Sequence, residues 1–179
     1  MSQRPDRARG AFAPVTIAGS GNWLIGSDRI GQRVLERVAD RWGSEVELVD
    51  LGATSLALLD HLRGQELLLL VDACVGMGAA GEVRIYEPDL ENVSGPSTSI
   101  HQIGPVETLA VARELAPDTL PRRLRLVLVE TTGLSEVDEE KVCDQVIEVL
   151  DREVEGWRRG DLRRLPLEPA AARAPGRMP

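Results

Sequence analysis

The eight residues Val15-Thr16-Ile17-Ala18-Gly19-Ser20-Gly21-Asn22 set the architecture. An apolar run breaks into a glycine-rich turn. From Arg29 onward Ile30, Val34, Val38 and Trp42 then recur every four residues. The run predicts a buried strand, and the recurrence predicts one face of a helix over 29–42 that Gly43 ends. A strand, a turn and a helix in that order open an α/β unit.

The pattern continues outward. Val46–Leu51 alternates as a second strand, and Leu56, Leu59 and Leu62 mark a short helix over 55–62, closed by Gly64. Glu66–Val71 is continuously apolar after its first residue, the mark of a strand covered on both faces. Gly76, Gly78 and Gly81 form a flexible connection to Glu82–Tyr86, which has no helix before it and reads as an antiparallel edge strand. After a polar loop over 88–99, Pro105–Ala116 reads as a helix, Leu124–Val129 as another buried strand, and Val137–Trp157 as a long acidic helix. The fold class expected is a single three-layer α/β domain. Its five-stranded sheet is mostly parallel with one antiparallel edge strand, and helices lie on both faces. The domain spans 14–157. Residues 1–13 read as a disordered tail, and 158–179 as a second one rich in Arg, Pro and Ala.

The chain of 179 residues carries a net charge of −8, but the two tails contribute +2 and +4, which leaves −14 on the domain between them. That balance excludes nucleic acid and anionic membrane as the main partner, since both need a basic footprint. Most of the acid on the last helix reads as a solvated face. The longest strongly apolar run, Leu67–Val71, is far too short to span a bilayer. The N-terminus has no apolar segment of the secretory kind. Cys74 and Cys143 form no CxxC pair and read as free thiols in a reducing compartment, the cytoplasm.

In parallel sheets functional groups gather beyond the carboxyl ends of the strands. After the first strand, Gly19 and Gly21 suggest a dinucleotide fingerprint, but its third glycine falls on Leu24, and no phosphate-binding GK[ST] follows. Asp28 stands just before the first helix, where capping the helix is the plain structural alternative to a site role. Asp72 closes an apolar strand, so its carboxylate must emerge at the sheet edge or find partners. His101 lies between a polar loop and a helix. All three fall at one edge of the sheet, and two carboxylates with one imidazole make an oxygen–oxygen–nitrogen set for a divalent first-row ion, with positions left open. Cys74 follows two residues after Asp72, but no histidine adjoins it to activate a nucleophile.

These residues, in this order, resemble the endopeptidases that mature nickel–iron hydrogenases. The family opens with a strand and Gly-x-Gly-Asn-x-Leu-x-x-Asp-Asp/Glu-x-x-Gly, matched from Gly19 to Gly31. A turn of the Asp-Gly-Gly-Thr kind is matched loosely by Asp50–Thr54, an Asp-Ala pair by Asp72-Ala73, and a Ser-x-His-Gln-Ile/Leu-Gly stretch by Ser99–Gly104. The likeness covers about residues 14–152. It departs at Ser27, where the family usually has a second acidic residue.

The resemblance implies an aspartic-type, nickel-dependent endopeptidase. Such an enzyme removes the C-terminal extension of a nickel-loaded hydrogenase large-subunit precursor, with Asp28, Asp72 and His101 as metal-binding and catalytic residues. The nickel would be supplied by the precursor, and zinc or cadmium would take its place in vitro. The enzyme would act as a monomer. The alternative is a non-catalytic Rossmann-like module that binds a metalloprotein partner or a nucleotide.

Overall fold

The structure, a computed structural model, describes residues 12–22, 26–91, 104–163 and 167–168. Five main strands, β1 (Val15–Ser20), β2 (Val46–Gly52), β3 (Leu67–Cys74), β4 (Val83–Pro88) and β5 (Leu124–Glu130), form the sheet with a two-residue β6 (Leu167–Glu168). Their order is β2-β1-β3-β5-β4-β6. β2, β1, β3 and β5 are mutually parallel, and β4 runs antiparallel to β5. The antiparallel strand is therefore present as expected. β6 lies outside it, paired parallel to β4, and is drawn from the stretch read as the second tail.

Three helices, α1 (Ile30–Arg37), α2 (Pro105–Leu115) and α3 (Glu136–Arg159), complete the layers. On one face α1 and α3 pack on Val15, Ile17, Leu67, Leu69, Val71, Val127 and Val129. On the other, α2 and a 3₁₀ helix at Ser55–His61 cover Ala18, Leu68, Leu70, Leu124 and Leu126. All residues from Leu67 to Val71 are fully buried, each contributing about 1.5–3 kcal/mol by its removal from water. This is the both-sides-covered strand that its unbroken apolar run predicts. Among the described residues no helix is long and apolar enough to cross a membrane.

Local differences have physical causes. The four-residue recurrence predicts a helix to Trp42, yet α1 ends at Arg37 and a turn follows. Val38 and Trp42 are buried all the same, because the turn keeps both toward the core. The leucines three apart at 56, 59 and 62 suit the three-residue repeat of a 3₁₀ helix, which is what forms there. α3 starts where the Ser135 hydroxyl oxygen accepts the Asp138 N–H.

The acid on α3 is not simply a solvated face. Arg29, Arg33, Arg37 and Arg41 stand four apart along and beyond α1, and pair with Glu139, Glu140, Asp144 and Asp151 of α3. Glu139 is buried by the contact.

One close approach sets how α1 sits on the sheet. A Cβ on Gly31 would lie 2.5 Å from the Ser20 carbonyl oxygen and 2.9 Å from that of Val71, and one on Gly19 would lie 2.6 Å from the Gly31 oxygen. Helix and strands touch here backbone to backbone.

Candidate functional site

The chain leaves β1 for β2 on one side and returns to β3 on the other. The crevice beyond the carboxyl ends of β1 and β3 is thus the point where the strand order reverses, the usual ligand position in such sheets. A 3₁₀ turn at Gly26–Arg29 lies over it and contacts β3.

Asp28 is on that turn, half-buried. It is not the cap of α1: Arg29 occupies that position, and no side chain caps the helix. Instead Asp28 Oδ2 accepts the Asn22 N–H at 3.1 Å, tying the residue after Gly21 to the turn. Gly21 makes this possible. Its φ is 152°, its N–H donates to the Gly52 carbonyl at 2.9 Å, and a Cβ there would lie 2.0 Å from the Asp28 carbonyl oxygen. The buried Gln32 side chain donates through Nε2 to the Gly21 carbonyl at 2.7 Å and fixes the loop from the helix side. The close helix–strand contact that a dinucleotide fingerprint makes through its third glycine is made here through Gly31, one 3₁₀ turn later.

Asp72 is half-buried near the end of β3, which runs two residues beyond it to Cys74. It alternates with Leu68 and Leu70 and so belongs to the α2 face of the sheet. Its Oδ1 accepts the Ala73 N–H at 3.0 Å. The structure brings the Asp28 turn and the Asp72 strand end to the same crevice. His101 lies outside the described residues, as do residues 92–103 around it. Among the described residues no group of three His, Cys, Asp or Glu could hold a metal ion. His61, the other histidine of the chain, precedes β3 near the opposite end of the sheet.

Cys74 sits in register with Glu130 of β5, its Sγ 3.7 Å from Met77 Sδ. Burial, with the Glu130 and Asp72 carboxylates adding to it, pushes its thiol up to about 11. A thiol so raised stays protonated near neutrality and makes a poor nucleophile.

The residue that sequence reasoning missed is Glu130. It is fully buried at the end of β5. Its Oε1 accepts the Thr132 N–H at 2.9 Å, and its Oε2 accepts the N–H groups of Met77 and, at 3.3 Å, Gly78. Hydrogen bonds from Thr132, then from Met77 and Gly78, outweigh burial and hold the carboxyl down to about 2. Its backbone is tied as well, Glu130 N–H to the Glu82 carbonyl and Gly81 N–H to the Glu130 carbonyl. The signal was available: like Asp72, Glu130 is an acid directly after an apolar strand core.

The family model described as hydrogenase maturation protease matches residues 31–154, a span that includes Asp72 and His101 and begins three residues after Asp28. The hydrogenase expression/formation protein HupD of Thiocapsa roseopersicina is 29% identical over 126 residues, covering 68% of this chain and 56% of that protein. The hydrogenase 2 maturation protease of Escherichia coli is 27% identical over 117 residues, covering 63% and 70%. The chain thus spans little more than half the length of the first of these relatives. Among solved structures, the hydrogenase maturating endopeptidase HybD from E. coli superposes with a TM-score of 0.59 at 27% identity, over 77% of this chain and 92% of that one. The [NiFe] hydrogenase maturation protease HybD from Thermococcus kodakarensis shares the fold, with a TM-score of 0.58 at 19% identity over 77% and 97%.

Proposed function

The chain belongs to the hydrogenase maturation protease family, and from that premise we propose that it is an endopeptidase removing the C-terminal extension of a nickel-loaded hydrogenase large-subunit precursor. The observation that carries this reading is the meeting of the Asp28 turn and the Asp72 strand end at the β1/β3 crevice. Both carboxylates are half-buried, and each takes a backbone N–H, so their negative charge is held in place at the mouth of the sheet.

In this reading the nickel is part of the substrate. Asp28 and Asp72 offer it oxygen ligands, and His101 offers nitrogen. A divalent ion so placed polarises a carbonyl and acidifies water. The task left to the chain is to orient the precursor's tail and to accept a proton at a carboxylate oxygen that does not ligate the ion. Zinc or cadmium would occupy the same donors in vitro. The enzyme acts as a monomer in the cytoplasm, where the free thiols Cys74 and Cys143 stay reduced.

The test is incubation with a nickel-loaded precursor, followed by mass measurement of its C-terminus. A mass loss that disappears in Asp72→Ala is expected. Full activity in that variant would sink the assignment. Ser27, in place of an acidic residue, favours a second reading, a module that binds the metalloprotein without cutting it. That reading predicts a complex of unchanged mass.

A further inference from the structure

The loop over 75–82 leaves β3 directly after the Asp72–Cys74 strand end and returns as β4. Its composition is apolar and glycine-rich, and Val75, three residues past Asp72, is 77% exposed. An apolar loop of this kind has little packing of its own to hold it. What holds it is charged: the buried Glu130 carboxylate accepts the Met77 and Gly78 N–H groups, while the Glu82 carboxylate accepts the Ala79 N–H at 3.1 Å and is gripped by Arg84 at 2.8 Å. Thr131 adds its N–H and its hydroxyl to the Cys74 carbonyl, at 3.0 and 3.2 Å. Burying a carboxylate is costly unless its lone pairs are met, and here the backbone amides of Met77, Gly78 and Thr132 meet them. The result is a loop of fixed shape that keeps the Val75 side chain in water three residues along the chain from Asp72.

We propose that Glu130 is a positioning residue, whose buried carboxylate fixes the 75–82 loop so that Val75 forms the apolar wall receiving the precursor peptide next to its scissile bond. This rests on the endopeptidase reading above. Glu130 is fully buried and touches no substrate; it acts through the loop. The ligand class is an extended peptide with an apolar side chain facing Val75.

The experiment measures steady-state processing of nickel-loaded precursor by the full chain, with amide hydrogen exchange in parallel. Glu130→Gln keeps the shape but turns an NH₂ toward N–H donors on one side of the carboxyl. The KM is expected to rise about tenfold, with the loss falling on KM rather than kcat. The Met77 and Gly78 amides should lose protection while those of β3 and β5 keep theirs. Val75→Ser, at an exposed position that leaves the fold alone, should raise KM in the same direction. An unchanged KM in Val75→Ser, or a Glu130→Gln variant that loosens the loop without raising KM, overturns the proposal. Asp72→Ala separates the two levels. If it is inactive while both loop variants match the parent, the positioning role alone falls. If it cleaves normally, the site reading falls and this proposal with it.

Discussion

The two ends of the sheet treat charge differently. At the amino end of the parallel strands charges are met by opposite charges. Arg125, fully buried on β5, reaches Glu87 of β4 at 2.6 Å, Glu153 of α3 at 3.4 Å and the Arg163 carbonyl at 2.6 Å. Nearby, Arg63 pairs with Glu47 at 3.0 Å and Arg158 with Glu45 at 2.9 Å. At the carboxyl end Glu82 pairs with Arg84 at 2.8 Å, but Asp28, Asp50, Asp72 and Glu130 each accept backbone N–H groups. A carboxylate paired with arginine contributes to cohesion and presents little net charge. An amide hydrogen bond fixes a carboxylate without neutralising it, an arrangement suited to a cation that arrives from outside.

Exchanging residues at the two ends should therefore damage different things. The largest effect is expected at the carboxyl end, where Asp28→Asn or Asp72→Asn should slow precursor processing on the order of 10²–10⁴-fold. The melting temperature should barely move, as a processing assay and a thermal melt on the same sample would show. At the amino end Arg125→Met should do the reverse. Stranding Glu87, and leaving Glu153 only the exposed Arg152 at 3.8 Å, costs about 3–5 kcal/mol, read by urea denaturation. Adding Glu153→Leu should restore part of it, and a neutral single variant would erase the contrast between the ends.

Glu130 predicts a pH effect of definite sign. Its folded value of about 2 lies below the ordinary 4.5, so its contribution to stability is complete above 4.5 and disappears as pH falls toward 2. Denaturation midpoints across that window should fall less steeply in Glu130→Gln than in the parent. The smallest effect belongs to the exposed ladder between α1 and α3. Arg41→Ala, despite the two hydrogen bonds of Arg41 to Asp151, should cost about 0.2–1 kcal/mol, and less in high salt.

The sheet was legible because its signal is simple: apolar runs bounded by glycine and acid place β1, β2, β3 and β5 within three residues at either end. The backbone between Arg37 and Trp42 was not legible, since burial periodicity records which way side chains face and not how the chain turns to face them. Asp28 and Asp72 could be singled out as candidates because they follow strands. Arg125 could not, because an arginine inside an apolar run is explained only by Glu87 and Glu153, which come from distant parts of the chain. The same holds for the arginines of α1, whose partners lie about a hundred residues away. Glu130 was within reach of the rule that found Asp72, but ending the strand at Val129 left the acid unread.

The contact between Gly31 and the carbonyls of Ser20 and Val71 has a mechanical consequence. Because no side chain separates helix from strands, the spacing between the Asp28 turn and the end of β3 is set by peptide planes, and rotamer exchange in the core does not reach it. The joint behaves as a hard stop. Two carboxylates from distant parts of the chain are thereby indexed against each other by the thickness of the backbone itself.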